Sequence, residues 1–131
     1  MASILNVTLN TSVSPPRLDV DDKSKQNEIR QSPTPTTIKW ILTGNLAQGS
    51  FCPMADSPPA FEWKQAPPDG IFTEPVVGAN GNSVSITDTH VDASTNGEWI
   101  YALAASLDGV TYTTQFSLLT GTFNNPNIIN R

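Results

Sequence analysis

Asp108-Gly109 lies between two β-prone runs, Glu98 to Leu107 and Val110 to Ser117. Asp-Gly supplies the two positive φ angles of a type I′ turn, whose twist matches that of the strands it joins. Closing the chain there sets a register. Leu107 opposes Val110, Ala105 opposes Tyr112, Leu103 opposes Thr114, Tyr101 opposes Phe116 and Trp99 opposes Leu118. Strand side chains alternate, so all of these share one face. The other face carries Glu98, Ile100, Ala102, Ala104 and Ser106 against Thr111, Thr113, Gln115 and Ser117. One face is aromatic and aliphatic and the other is small and polar, which predicts an antiparallel sheet packed on one side. A slip of one residue would exchange the two faces.

The same alternation recurs upstream. "SILNVTLN" places Leu5, Val7 and Leu9 on one face, and "RLDV" does so for Leu18 and Val20. "TIKWILTG" turns Ile38, Trp40 and Leu42 inward with Lys39 outward. "AFEWK" pairs Phe61 with Trp63 around an outward Glu62, and "SVSITDT" presents Val84 and Ile86 after an Asn80-Gly81 turn. A single domain over residues 1–131 with seven to nine short strands is about what a β-sandwich needs. Eleven prolines and eight glycines leave few windows long enough for a helix. The exception is Asp22 to Gln31, a polar run free of both residues that could form a short helical turn. Two long loops are expected, Ser24 to Thr36 and Gly44 to Pro59. The second contains Phe51, Cys52 and Met54, which suits a segment folded over an open end of the sandwich.

With one cysteine there is no internal disulfide, so stability must come from packing. A net charge of -5 with seven Lys and Arg disfavours nucleic acid and anionic membrane surfaces as partners. The N-terminal "MASILNVTLNTSV" has neither a basic region nor a long apolar stretch, so no secretory signal is expected and the default compartment is the cytoplasm. The sequons at Asn6 and Asn10 are then chance matches in a Thr- and Asn-rich chain.

Two motifs carry a resemblance. "FEWKQAPPDG" resembles strand C of an immunoglobulin-type domain, with Trp63 as its tryptophan, and "NGEWIYAL" resembles the start of strand F. The likeness implies an immunoglobulin-like antiparallel sandwich. Trp99 would stand at the tyrosine-corner position and Tyr101 at the second cysteine's place, with Trp40 or Leu42 at the first. Bulky side chains would then fill the gap that a disulfide spans in such domains. "TEPVV" (Glu74 to Val77) and "NPNIINR" (Asn125 to Arg131) are similar to small bacterial proteins of the DP-EP type, a functionally uncharacterised group that supplies no site residues.

Reactive chemistry is thinly represented. Asp88, His90 and Asp92 in "DTHVD" would project to one side of an extended strand and offer a mixed oxygen and nitrogen ligand set, but His90 is the only histidine. A polar strand end leading into a turn accounts for them without a metal, and no cofactor is expected. Asp19 to Asp22 lack the glycine and glutamate of a calcium loop. Cys52 beside Pro53 has nothing visible to lower its pKa, which weighs against a dyad with His90. The expectation is therefore a non-enzymatic binding or structural module. It would associate with a protein partner or with itself through an edge strand or through the face bearing Ile100, Ala102 and Ala104. The alternative is a small-molecule or carbohydrate site built by the Gly44 to Pro59 loop around Phe51, Cys52 and Met54.

Overall fold

The structure, a computed structural model, describes residues 2–12, 14–21, 27–114 and 126–131. Among these residues eleven strands form two sheets, and the protein is an all-β sandwich without a disulfide. In chain order the strands are β1 (Ala2–Asn10), β2 (Arg17–Asp21), β3 (Glu28–Ile29), β4 (Thr36–Leu42), β5 (Ser50–Phe51) and β6 (Phe61–Gln65). They continue with β7 (Val76–Val77), β8 (Ser83–Asp88), β9 (Gly97–Leu107), β10 (Val110–Thr113) and β11 (Asn127–Asn130). The first sheet has the order β2-β1-β4-β8-β7. The second is built on β9, which pairs with β5, β6, β10 and β11, and β3 lies beyond β11.

Both sheets are mixed, because β1 runs parallel to β4 and β3 runs parallel to β11. Alternate residues of a strand direct their backbone groups to opposite edges. The amide of Ala104 donates to the Ala60 carbonyl and its own carbonyl accepts from Cys52, whereas the Leu103 carbonyl accepts from Thr114 and the Tyr101 amide donates to Pro126. One edge of β9 therefore takes β5 and then β6, and the other takes β10 and then β11.

The hairpin forms in the expected register, with Leu107 opposite Val110 and Ala105 opposite Tyr112, and Thr114 bonded to Leu103. Phe116 and Leu118 lie outside the described residues. The expected register does not extend to Trp99 and Tyr101: Trp99 stands opposite Ile128 of β11 and the Tyr101 amide donates to the Pro126 carbonyl, because β11 takes over that edge of β9 beyond β10. Asp108 and Gly109 have φ of 52° and 80°, as a type I′ turn requires. Open space surrounds Gly109, so a side chain there would meet only backbone strain. Gly109→Val is expected to cost about 1–2 kcal/mol in urea unfolding without altering the near-ultraviolet circular dichroism of the core. Asn80-Gly81 also lies in a reversal, where the Gly81 amide donates to the Gly78 carbonyl between β7 and β8.

The core forms between the sheets from the inward faces that the alternation identified. Leu5, Val7, Ile38, Trp40, Val84 and Ile86 meet Phe61, Tyr101, Leu103, Ala105 and Ile128, all buried. Trp40 and Tyr101 touch across the sheets. Their ring centroids are 5.0 Å apart, and the Trp40 Nε1–H donates to the Tyr101 hydroxyl at 2.8 Å. Phe61 stacks on Tyr101 and packs against Trp40 and Trp63. Trp99 is buried against Phe72, while Trp63 and Tyr112 are half-buried at the margin of the core.

Helical structure among the described residues is limited to 3-10 turns at Gly44–Leu46 and Ala93–Thr95. The helical turn considered for Asp22 to Gln31 does not form over Glu28–Ile29, which is β3; residues 22–26 lie outside the described residues. The Gly44 to Pro59 segment does close over the sandwich. Its Leu46, Phe51 and Cys52 are buried, and the Phe51 amide donates to the Gly81 carbonyl of the facing sheet.

Candidate functional site

The outward face of β9 is the floor of a groove. Ala102 and Ala104 point away from the core because Tyr101, Leu103 and Ala105 point into it. Pro58 and Pro59, from the end of the Gly44 to Pro59 segment, rise on one side, and Thr113 and Thr114 stand on the other. Glu62 and Lys64, two residues apart on β6 and hence on one face, complete the rim with an ion pair of 2.7 Å. The groove encloses about 160 Å³. Its neighbour is the outer edge of β6. Ala60 turns its carbonyl to β9, so the backbone groups of Phe61 point to the opposite side. No strand among the described residues pairs there.

The residues considered for a ligand site in the Gly44 to Pro59 segment have separate surroundings. Phe51 packs in the core and Met54 is exposed. Cys52 is buried beside Ala104, and burial, reinforced by the charge of Asp56, pushes its thiol up from the ordinary value. A raised pKa keeps the thiol protonated and unreactive. His90 is bonded elsewhere. Its Nδ1 lies 2.6 Å from Thr95 Oγ1, and its Nε2–H donates to the main-chain oxygen of Arg131 at 2.8 Å.

Asp88, His90 and Asp92 do not converge. Among the described residues no three His, Cys, Asp or Glu side chains gather as a metal would require. Asp92 is exposed and caps the Ala93–Thr95 turn, accepting from the Ser94 amide at 2.9 Å and its hydroxyl at 2.5 Å, which holds the Asp92 carboxyl below its ordinary value. Asp88 is fully buried at the end of β8 and accepts from Asn130 Nδ2 at 3.1 Å. Burial raises its carboxyl from 3.8 to about 6, against the opposing effects of the Asn130 bond and the charge of His90. Asp19 is paired with Arg17 at 3.4 Å, and Asp22 lies outside the described residues.

Sequence reasoning did not identify Asn130 or Thr95 as parts of any site, and it included Pro58 and Pro59 only as the end of the Gly44 to Pro59 loop and Thr113 only as a member of the outward face. For Asn130 a signal existed: it continues the inward alternation of Ile128, as Asp88 continues that of Val84 and Ile86. No family model, curated protein or solved structure matches the chain.

Proposed function

We propose that this protein is a non-enzymatic interaction module on an immunoglobulin-like sandwich, and that it docks a protein partner, or a second copy of itself, along the β6 edge and the adjoining groove. The observation that carries this reading is the groove's size and lining. Pockets for small molecules usually hold roughly 300–1,000 Å³. A volume of about 160 Å³ accommodates one or two side chains of a partner instead. Its floor of alanines, walls of proline and charged rim follow the general anatomy of protein interfaces, an apolar centre within a polar border. An extended segment laid along β6 would add a strand to the second sheet while its side chains enter the groove.

A small-molecule or carbohydrate reading draws on the same place, since Pro58 and Pro59 belong to the Gly44 to Pro59 segment. With Phe51 in the core, such a ligand would have to rest on the prolines and on Ala102.

Size-exclusion chromatography with light scattering at about 10–100 μM tests the self-association form. A dimer is expected that Ala102→Lys, which places a long cation across the groove floor, returns to monomer, with near-ultraviolet circular dichroism checking that the fold persists at this buried position. A wild-type monomer over that range, or a dimer indifferent to Ala102→Lys, would remove self-association through the groove.

A further inference from the structure

A buried polar contact joins the two sheets at the end of β8. Asp88 from the first sheet and Asn130 from β11 of the second are both almost fully buried. Asn130 Nδ2 donates to Asp88 Oδ1 at 3.1 Å and to the Thr95 carbonyl at 2.9 Å. The second bond fixes which way the amide faces, because a carbonyl can only accept. Two oxygens are left over. Asp88 Oδ2 and Asn130 Oδ1 are buried, and neither has a hydrogen-bond donor among the described residues. Buried acceptors are rarely left bare, and an ionised carboxylate facing an amide oxygen contains no donor to relieve either one. A single proton on Asp88 turns one of these acceptors into the donor that the other lacks.

We propose that Asp88 and Asn130 form a pH-sensitive clasp between β8 and β11, in which Asp88, while protonated, donates its proton to Asn130 Oδ1. The bond is closed when the acid is neutral. When Asp88 loses its proton to solvent, a buried charge and two bare acceptors remain, and β11 is the short strand that can leave.

The surroundings contain few competing groups. Thr36 of β4 and Phe72 are the strand neighbours of Asp88, and neither titrates at these pH values. His90, two residues along, acts on the Asp88 carboxyl and favours its ionised form. Asp92 is turned towards Ser94. On the second sheet the Arg131 guanidinium is paired with Glu28 at 2.7 Å, and Glu98 accepts from Asn127.

A carboxyl raised from 3.8 to about 6 stabilises the closed state fully below the lower value and progressively less as pH rises through the higher one. Between those limits opening becomes about tenfold easier per pH unit, roughly a hundredfold in all, and above the higher limit this contribution no longer changes. The test follows the Asp88 side-chain carboxyl carbon by NMR from pH 3 to 8, together with exchange protection of the Ile129 and Arg131 amides, which donate to Asn27 and Ile29 of the neighbouring segment. The carboxyl is expected to titrate near pH 6, and the β11 protection factors to fall about thirtyfold from pH 4 to 6 and about a hundredfold from pH 3 to 8. Asp88→Asn supplies a permanent donor and should abolish that fall while His90 stays in place. A carboxyl midpoint near pH 4 overturns the proposal, as does a β11 pH dependence that survives in Asp88→Asn and therefore belongs to His90. The wild-type titration decides the matter alone if the variant does not fold.

Discussion

Trp40→Ala is expected to lower the unfolding free energy by about 3–5 kcal/mol, the range for removing a fully buried aromatic from a close-packed core. The indole has no exposed surface and contacts Phe61 at 5.2 Å and Tyr101 at 5.0 Å between ring centroids. Those contacts lie in the gap between sheets, about 10 Å across in sandwiches generally, and the neighbours that would have to collapse into a cavity are themselves rings. The polar part of the contact separates from the apolar part by smaller changes. Tyr101→Phe keeps the ring but leaves the Trp40 Nε1–H buried without its acceptor, at a cost of about 1–3 kcal/mol. Trp40→Phe removes the donor, and the double variant should cost less than the two single costs together, because the Trp40 Nε1–H that Tyr101→Phe leaves without this acceptor is then absent. Urea unfolding of the four proteins measures this cycle. A loss below about 1 kcal/mol for Trp40→Ala would mean that the middle of the sandwich is not filled as described.

What could be read from the chain was what strand periodicity and turn chemistry carry. Ile38, Trp40 and Leu42 point inward and Lys39 outward because alternate positions of β4 face opposite ways, and this holds whatever strand lies beside it. For the same reason the parallel pairing of β1 with β4 left no mark: the inward set Leu5, Val7 and Leu9 is identical for a parallel or an antiparallel neighbour. Strands of two residues, such as β3, β5 and β7, are too short to show a period at all. The Asp88 and Asn130 contact was hidden because polar residues at strand ends read as turns. Only a count of inward positions places both inside, and the residues pair across 42 positions of chain. The groove is likewise non-local, since Pro58 and Ala102 meet through strand pairing on β9.

The Gly44 to Pro59 segment gives the second large effect. Phe51→Ala is expected to destabilise the whole protein by about 3–5 kcal/mol, whereas Met54→Ala should change stability by less than about 0.5 kcal/mol. Both residues are apolar and only three positions apart, yet backbone pairing separates them. Phe51 stands opposite Ala105 on β9, an inward position, so its ring enters the core and is only 4% exposed. Met54 falls in the turn closed by the bond from the Asp56 amide to the Pro53 carbonyl, and it is exposed. If the segment were an appendage that opens around a ligand, both substitutions would leave the unfolding midpoint almost unchanged and would differ only in binding. If it seals the sandwich, Phe51→Ala should lower the protection of amides far from it in sequence, including those of β9, because Cys52 and Ser50 are bonded to that strand. Denaturation midpoints with exchange measured along β9 distinguish the two. A Phe51→Ala protein that melts with wild-type protein would reassign the segment from the core to the surface.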